Sequence, residues 1–235
     1  MPRIPNAKLR PAVRHRATAL AFVAGYVDTF SFLTLSGLFC AHVTGNFVIL
    51  AATLVLGHPA GVWSKVLAVP MFAVGVCCAS LLGDTLIRRG HAVWRPLLCA
   101  ELFLLIAALI VGLTLGPFTD ADHPSALLLA AFLILAMSTQ SAIGQLATRD
   151  EPPSVVMTTT VTKLVVDVTA LFVRSFPDAA EHEKTRDAAF RLAEQCAAFL
   201  LGCAVGASGH VFVGPWLLAV PALAIAVLLV SFDAP

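Results

Sequence analysis

The stretch Gly25-Tyr26-Val27-Asp28-Thr29-Phe30-Ser31-Phe32-Leu33-Thr34-Leu35-Ser36-Gly37-Leu38-Phe39-Cys40-Ala41-His42-Val43-Thr44-Gly45-Asn46 decides how this chain folds. It lies inside a run from Ala17 to Gly57 that is almost wholly apolar, yet it holds a carboxylate, an imidazole and a Thr-Gly-Asn turn signal. The apolarity suits lipid; the polar groups do not. On insertion scales an ionisable side chain at bilayer depth costs roughly 2 to 3 kcal/mol, so such groups mark a pathway, a binding site or a structural clamp.

The rest of the chain has the same character. Hydrophobic residues make up 59% and charged residues 12% of the 235 positions, against roughly 25% charged in soluble domains, and the mean hydropathy is +0.90. This composition predicts an integral membrane protein with room for six to eight helices of about 20 residues. A single membrane domain over residues 1–235 is expected, with no soluble domain beside it. A net charge of +1, from scattered basic residues, excludes a nucleic-acid surface.

Apolar segments run over 17–39, 42–57, 62–83, 96–116, 124–147, 154–173, 192–209 and 215–232, separated by Gly57/Pro59/Gly61, Gly90, Gly116-Pro117, Pro152-Pro153, Pro177 and Gly209 with Gly214-Pro215. They lack period-two alternation and are rich in Ala and Leu, so the fold class is all-α, a polytopic helical bundle and not a barrel. A cleaved signal is not expected, because Asp28 interrupts the first run and no small-x-small site ends it.

Charge then constrains topology. The N-terminal arm carries Arg3, Lys8, Arg10, Arg14 and Arg16, the 83–96 loop carries Arg88, Arg89 and Arg95, and the 116–124 loop has Asp120 and Asp122. The positive-inside rule puts the first two in the cytoplasm. If every segment crossed, three crossings would separate them and place them on opposite sides. The conflict disappears if 17–57 makes one net crossing, with 42–57 re-entrant or part of a broken helix. Six net crossings with both ends inside are therefore expected, eight full crossings being the alternative.

The polar elements recur. Asp28 aligns with Gln140, Phe39 to Thr44 with Met157 to Thr162, Phe72 to Gly75 with Phe199 to Gly202, and Pro96 to Leu98 with Pro215 to Leu217. The common order, with offsets near half the chain, points to an internal repeat with halves at approximately 17–116 and 124–232. Repeats with interrupted segments at matching positions are the sequence sign of a transporter-like site between halves.

The combination of Gly25-Tyr26-Val27-Asp28, Phe39, Thr44-Gly45-Asn46, Gln140 and the Thr-rich element from Thr158 to Thr162 resembles the DUF1275 family of bacterial membrane proteins. The resemblance covers nearly the whole chain. It implies a multi-pass protein of the bacterial inner membrane, without implying a chemistry. One departure stands out: Thr162-Lys163 replaces the second Thr-Gly pair usual in relatives, which breaks any symmetric role of the two turns.

The candidate site residues are Asp28, His42, Thr44, Gly45, Asn46, Gln140, Thr158, Thr162, Lys163 and Asp167. Gly45 relaxes the backbone, and Thr or Asn side chains can satisfy backbone groups that lipid cannot. On a helix, His42 and Asn46 would share one face, and Lys163 and Asp167 would form an ion pair with Thr158 and Thr162 extending the same face. The bland reading is that all of these clamp helices together. The functional reading is a polar path for a small molecule or ion, with the lipid bilayer as the other partner, no nucleic acid, and a homo-oligomer permitted. No metal or cofactor is expected.

Other features read structurally. Glu101 and Glu194 should snorkel or pair with Arg95 or Arg191; Gly75/Ala79 and Gly202/Gly206 follow small-xxx-small spacing; Trp63, Trp94 and Trp216 suit the lipid interface; and 181–191 reads as a solvated loop or short surface helix. Cys40, Cys77, Cys78, Cys99, Cys196 and Cys203 lack metal or redox spacing and read as packing residues. Two competing functions remain. A scaffold or assembly protein would use the polar groups only as clamps. A rhomboid-like protease is suggested by Gly206-Ala207-Ser208-Gly209 and His42-x-x-x-Asn46, but Ser208 is followed only by His210, too near in sequence to serve as its base. No enzyme is expected.

Overall fold

The computed structural model describes residues 11–57, 60–147, 157–174, 176–212 and 214–231, and among these every regular element is helical. The elements are α1 (Pro11–Thr34), α2 (Gly45–Leu56), α3 (Val62–Arg88), α4 (Trp94–Leu115), α5 (Pro124–Ala147), α6 (Met157–Val173), α7 (Ala179–Phe212), a 3-10 turn (Gly214–Leu218) and α8 (Ala219–Ser231). Arg3, Lys8, Arg10, Pro59, Pro152, Pro153, the start of the 154–173 segment and Phe232 lie outside the described residues.

Five of these helices contain spans long and apolar enough to cross a membrane: His15–Thr34, Val62–Arg88, Trp94–Leu115, Pro124–Leu146 and Ala179–His210. The distribution of side chains fits lipid as the solvent. Phe47, Val55, Leu56, Phe103, Phe172, Leu200 and Val230 face outward, while Asp28, Asn46, Lys65, Glu101, Ser138, Gln140 and Gln195 are buried. A water-soluble protein would reverse that arrangement.

Three boundaries differ from the sequence reading. The first apolar run stops being helical at Thr34: Ser36 and Gly37 have positive φ of 52° and 86°, and the Gly37 N–H donates to Phe32 O at 2.8 Å, closing the helix end. At the other end of the loop, α2 begins only at Gly45. The mixed-charge run 181–191 is neither loop nor separate helix but the first three turns of α7, where its polar side chains need no lipid-facing surface.

Packing is densest where glycines permit it. Gly25 lies against the Phe199 backbone, Gly202 against the backbones of Phe22 and Tyr26, and Gly206 against Tyr26 and Thr29, so α1 and α7 run in the same sense at close range. Gly75 lies against Ser138 and Gly83 against Leu146, so α3 and α5 also run in the same sense. Without a strong hydrophobic drive between helices in lipid, such backbone approach supplies the dispersion that holds them together.

The ends of the bundle are tied by polar contacts. At one end the Arg16 guanidinium stacks 3.6 Å from the Trp94 ring centroid, joining the starts of α1 and α4. At the other, Asp122 accepts from Val62 N at 2.9 Å and Ser64 N at 3.1 Å, capping α3. There Lys65 Nζ donates to Ser36 O (2.8 Å), Ala60 O (2.9 Å) and Gly61 O (3.0 Å), tying the start of α3 to the turn after α1.

Candidate functional site

Helix α1 brings Asp28 to its inner face, where it is 3% exposed. The chain leaves α1, turns at Ser36-Gly37 and doubles back, so residues 39–42 lie against that carboxylate. Asp28 Oδ1 accepts from Cys40 N at 2.8 Å and Ala41 N at 2.6 Å; Oδ2 accepts from His42 N at 3.1 Å, and His42 Nδ1 lies 2.5 Å from Oδ2. The next support comes from α2. Asn46 Oδ1 accepts from Phe39 N at 2.9 Å, and Asn46 Nδ2 donates to Phe39 O at 2.8 Å. Ser31 Oγ closes the set by donating to Leu38 O at 2.9 Å.

The N–H groups of Phe39, Cys40, Ala41 and His42 therefore all reach a side-chain oxygen. An irregular segment in lipid must find such partners or lose several kcal/mol per group, of order. The Asp28 carboxyl supplies the acceptors for a cradle of three backbone donors, and the irregular segment wraps around it. The His42 ring is the one side chain of the pair that reaches outward, 32% exposed against 4% for Asp28, in a T-shaped contact with Phe199 at 5.4 Å between centroids. If Nδ1 carries the proton shared with Asp28, Nε2 is the lone-pair nitrogen.

The structure brings together Asp28, His42 and Asn46, with Thr44 and Gly45 at the start of α2. It corrects their expected register. His42 lies in the loop before α2 while Asn46 is in its first turn, so the two do not share a helix face. Thr44 makes no side-chain cap; the amide of Asn46 satisfies the break instead.

The second-half residues are not part of this cluster. Gln140, fully buried, donates from Nε2 to Leu20 O at 2.9 Å, two turns along α1 from Asp28, and its Oε1 has no partner. Thr158, Thr162 and Lys163 lie on the exposed side of α6, and Asp167 is half-buried. Thr162 Oγ1 turns back to Thr158 O at 2.8 Å, and the expected Lys163–Asp167 ion pair does not form. Helix α6 packs chiefly on α7, and on its exposed side solvation competes with an i,i+4 pair worth only roughly a few tenths of a kcal/mol. Its aligned element, 157–162, is already helical where 39–44 is a loop, so the two copies differ in backbone as well as charge.

Ser208 Oγ donates to Ala204 O at 2.8 Å within α7, beside the glycines that pack on α1. His210 Nδ1 lies 3.3 Å from Thr34 Oγ1 on the neighbouring helix. Sequence reasoning missed Tyr26, whose hydroxyl donates to Leu217 O at 2.6 Å, and Lys65, whose charge it did not place inside the bundle. Glu101 was expected to snorkel and does not; it is fully buried on α4. Among the described residues no group of three metal-ligating side chains forms.

A bundle with outward-facing apolar side chains, buried polar groups and five helices long and apolar enough to cross a membrane defines a helical integral membrane protein. Within that class the chain belongs to the DUF1275 family, whose profile, described as a protein of unknown function, matches residues 16–231. No curated protein and no solved structure matches the chain.

Proposed function

We propose that the chain is a transporter-like protein of the bacterial inner membrane. It moves a small molecule or ion through a polar site at the interrupted first span, between two halves of opposite orientation. The break held by Asp28, His42 and Asn46 carries this reading. Discontinuous helices at bilayer depth are where transporters expose backbone and side-chain polarity to a substrate, and here one titratable ring reaches out of the anchored loop.

Helix sense supports the six-crossing topology. The Arg16–Trp94 stack joins the starts of α1 and α4, and Lys65 joins the start of α3 to the end of α1. On this reading α1 crosses, α2 returns to the side it left, and α3 crosses back. Twelve residues give α2 about 18 Å of length, short of the ~30 Å hydrocarbon core. Because α5 shares the sense of α3, and α7 that of α1, α6 also makes no net crossing. The total is six, with the N-terminal arm, the 83–96 loop and the C-terminus together on the cytoplasmic side, as the basic residues of the arm and of that loop favour.

The repeat gains support from one equivalence. Gly75 packs on Ser138 and Gly202 on Tyr26; the alignment pairs Gly75 with Gly202, and the Asp28–Gln140 offset pairs Tyr26 with Ser138. The same contact recurs between halves running in opposite directions. Proteoliposomes loaded for counterflow against a broad solute panel test the function. Wild type should exchange at least one solute, and folded His42→Ala and Asn46→Ala should reduce that exchange tenfold or more; unchanged exchange in both sinks the site assignment.

A further inference from the structure

Glu101 lies seven residues into α4, about 10 Å from the helix start along its axis. Its residue is 0% exposed, and neither Oε1 nor Oε2 has a hydrogen-bond partner. On α4 it belongs to the buried stripe Leu97, Leu98, Leu105 and Ala108, which faces the bundle. The elements packed most extensively against α4 are α5, α8 and the 3-10 turn, and none of the three contains an Asp, Glu, Lys, Arg or His; the cation that α1 brings to α4, Arg16, stacks on Trp94 seven residues before Glu101 and gives its carboxyl no hydrogen bond. Arg95, the other charged residue of α4, is exposed and six residues away, on a different side of the helix. An ionised carboxylate that accepts no hydrogen bond in such surroundings is far costlier than the neutral acid.

We propose that Glu101 is a proton-binding site: its carboxyl holds a proton in the packed state and exchanges it when α4 separates from α5 and α8 during the working cycle. The ligand is a proton from water, so no metal or organic group is required. The acid form fits the apolar stripe, whereas the anion fits only a state in which water reaches α4. This inference rests on the transporter reading for the purpose of the proton, but the bound proton itself is detected without any transport.

The test is infrared difference spectroscopy on the full chain in lipid, labelled with 13C-carboxyl glutamate at neutral pH. Wild type minus Glu101→Gln should show one protonated-acid carbonyl band that moves with the label and downshifts after transfer to D2O. Should Glu101→Gln fail to fold, Glu101→Asp replaces it, and the labelled band should disappear. A wild-type spectrum without the labelled acid band overturns the proposal, because the group is then ionised. A band that never shifts in D2O also overturns it, because the acid is then sealed and carries nothing. Failure of solute exchange with the band present and exchanging would overturn the transporter reading and leave the proton site standing.

Discussion

The carboxylate of Asp28 holds His42 twice, through the backbone N–H at 3.1 Å and through the ring Nδ1 at 2.5 Å, although fourteen residues separate them in sequence. One acid thereby fixes both the path of the loop and the direction of the ring. Asp28→Asn keeps one acceptor oxygen but presents an NH2 group to donors on the other side. Loss of a charge-assisted hydrogen bond costs roughly 1.5 to 3 kcal/mol, so this variant should lose about 2 kcal/mol or more. Thermal unfolding in detergent, paired with hydrogen exchange of the Cys40 and Ala41 amides, reads the effect; unchanged melting and unchanged protection would show the cradle to be dispensable.

Asn46 holds the opposite end of the same loop by bonding both the N–H and the C=O of Phe39. Asn46→Ala leaves both backbone groups without their partner, and Asn46→Asp keeps the acceptor while setting a carboxylate against a carbonyl. Each should cost roughly 1 to 3 kcal/mol. Cys40, within the loop, is buried, so in a background with the other five cysteines replaced its alkylation by a membrane-permeant maleimide should accelerate at least tenfold in either variant.

Gly202→Ala and Gly75→Ala should differ in kind. The added methyl at Gly202 meets the backbones of Phe22 and Tyr26, which cannot move without moving α1. At Gly75 it meets the side chain of Ser138. Gly202→Ala should therefore lower melting temperature beyond repair by any single change on α1, whereas Gly75→Ala should be rescued by Ser138→Gly. Overpacking penalties of about 1 to 3 kcal/mol are the relevant scale. Equal rescue at both positions would contradict the proposed close backbone approach of α1 and α7.

How much of this was legible beforehand follows from which signals are local. The helical class and the breaks near Gly57, Gly90 and Gly116 are written in composition and in Gly and Pro placement, and α5 falls on its expected bounds of 124–147. The polar break at Asp28 to Asn46 was also visible, because lipid makes any polar residue conspicuous. Its geometry was not: a period of four suggested a helix face for His42 and Asn46, but the chain runs as a loop in which three backbone N–H groups bond Asp28 and a fourth bonds Asn46. Lys163 and Asp167 were misjudged for a related reason. Spacing indicates that two side chains share a face but not whether another helix covers it. Glu101 was misread because its burial depends on α5 and α8, which are distant in sequence.

Those exposed positions on α6 supply the contrast that separates a site from a conspicuous sequence. Lys163 and Thr158 are exposed, and Asp167 forms no ion pair with Lys163, so Lys163→Ala and Asp167→Asn should each change stability by less than about 0.5 kcal/mol. The proposed site at the first break further requires that both variants exchange solute at the wild-type rate in proteoliposomes, while His42→Ala does not. A tenfold loss in Lys163→Ala with melting unchanged would instead place the path along α6, and would mean that the working state brings its polar face against a partner helix that the packed state keeps apart.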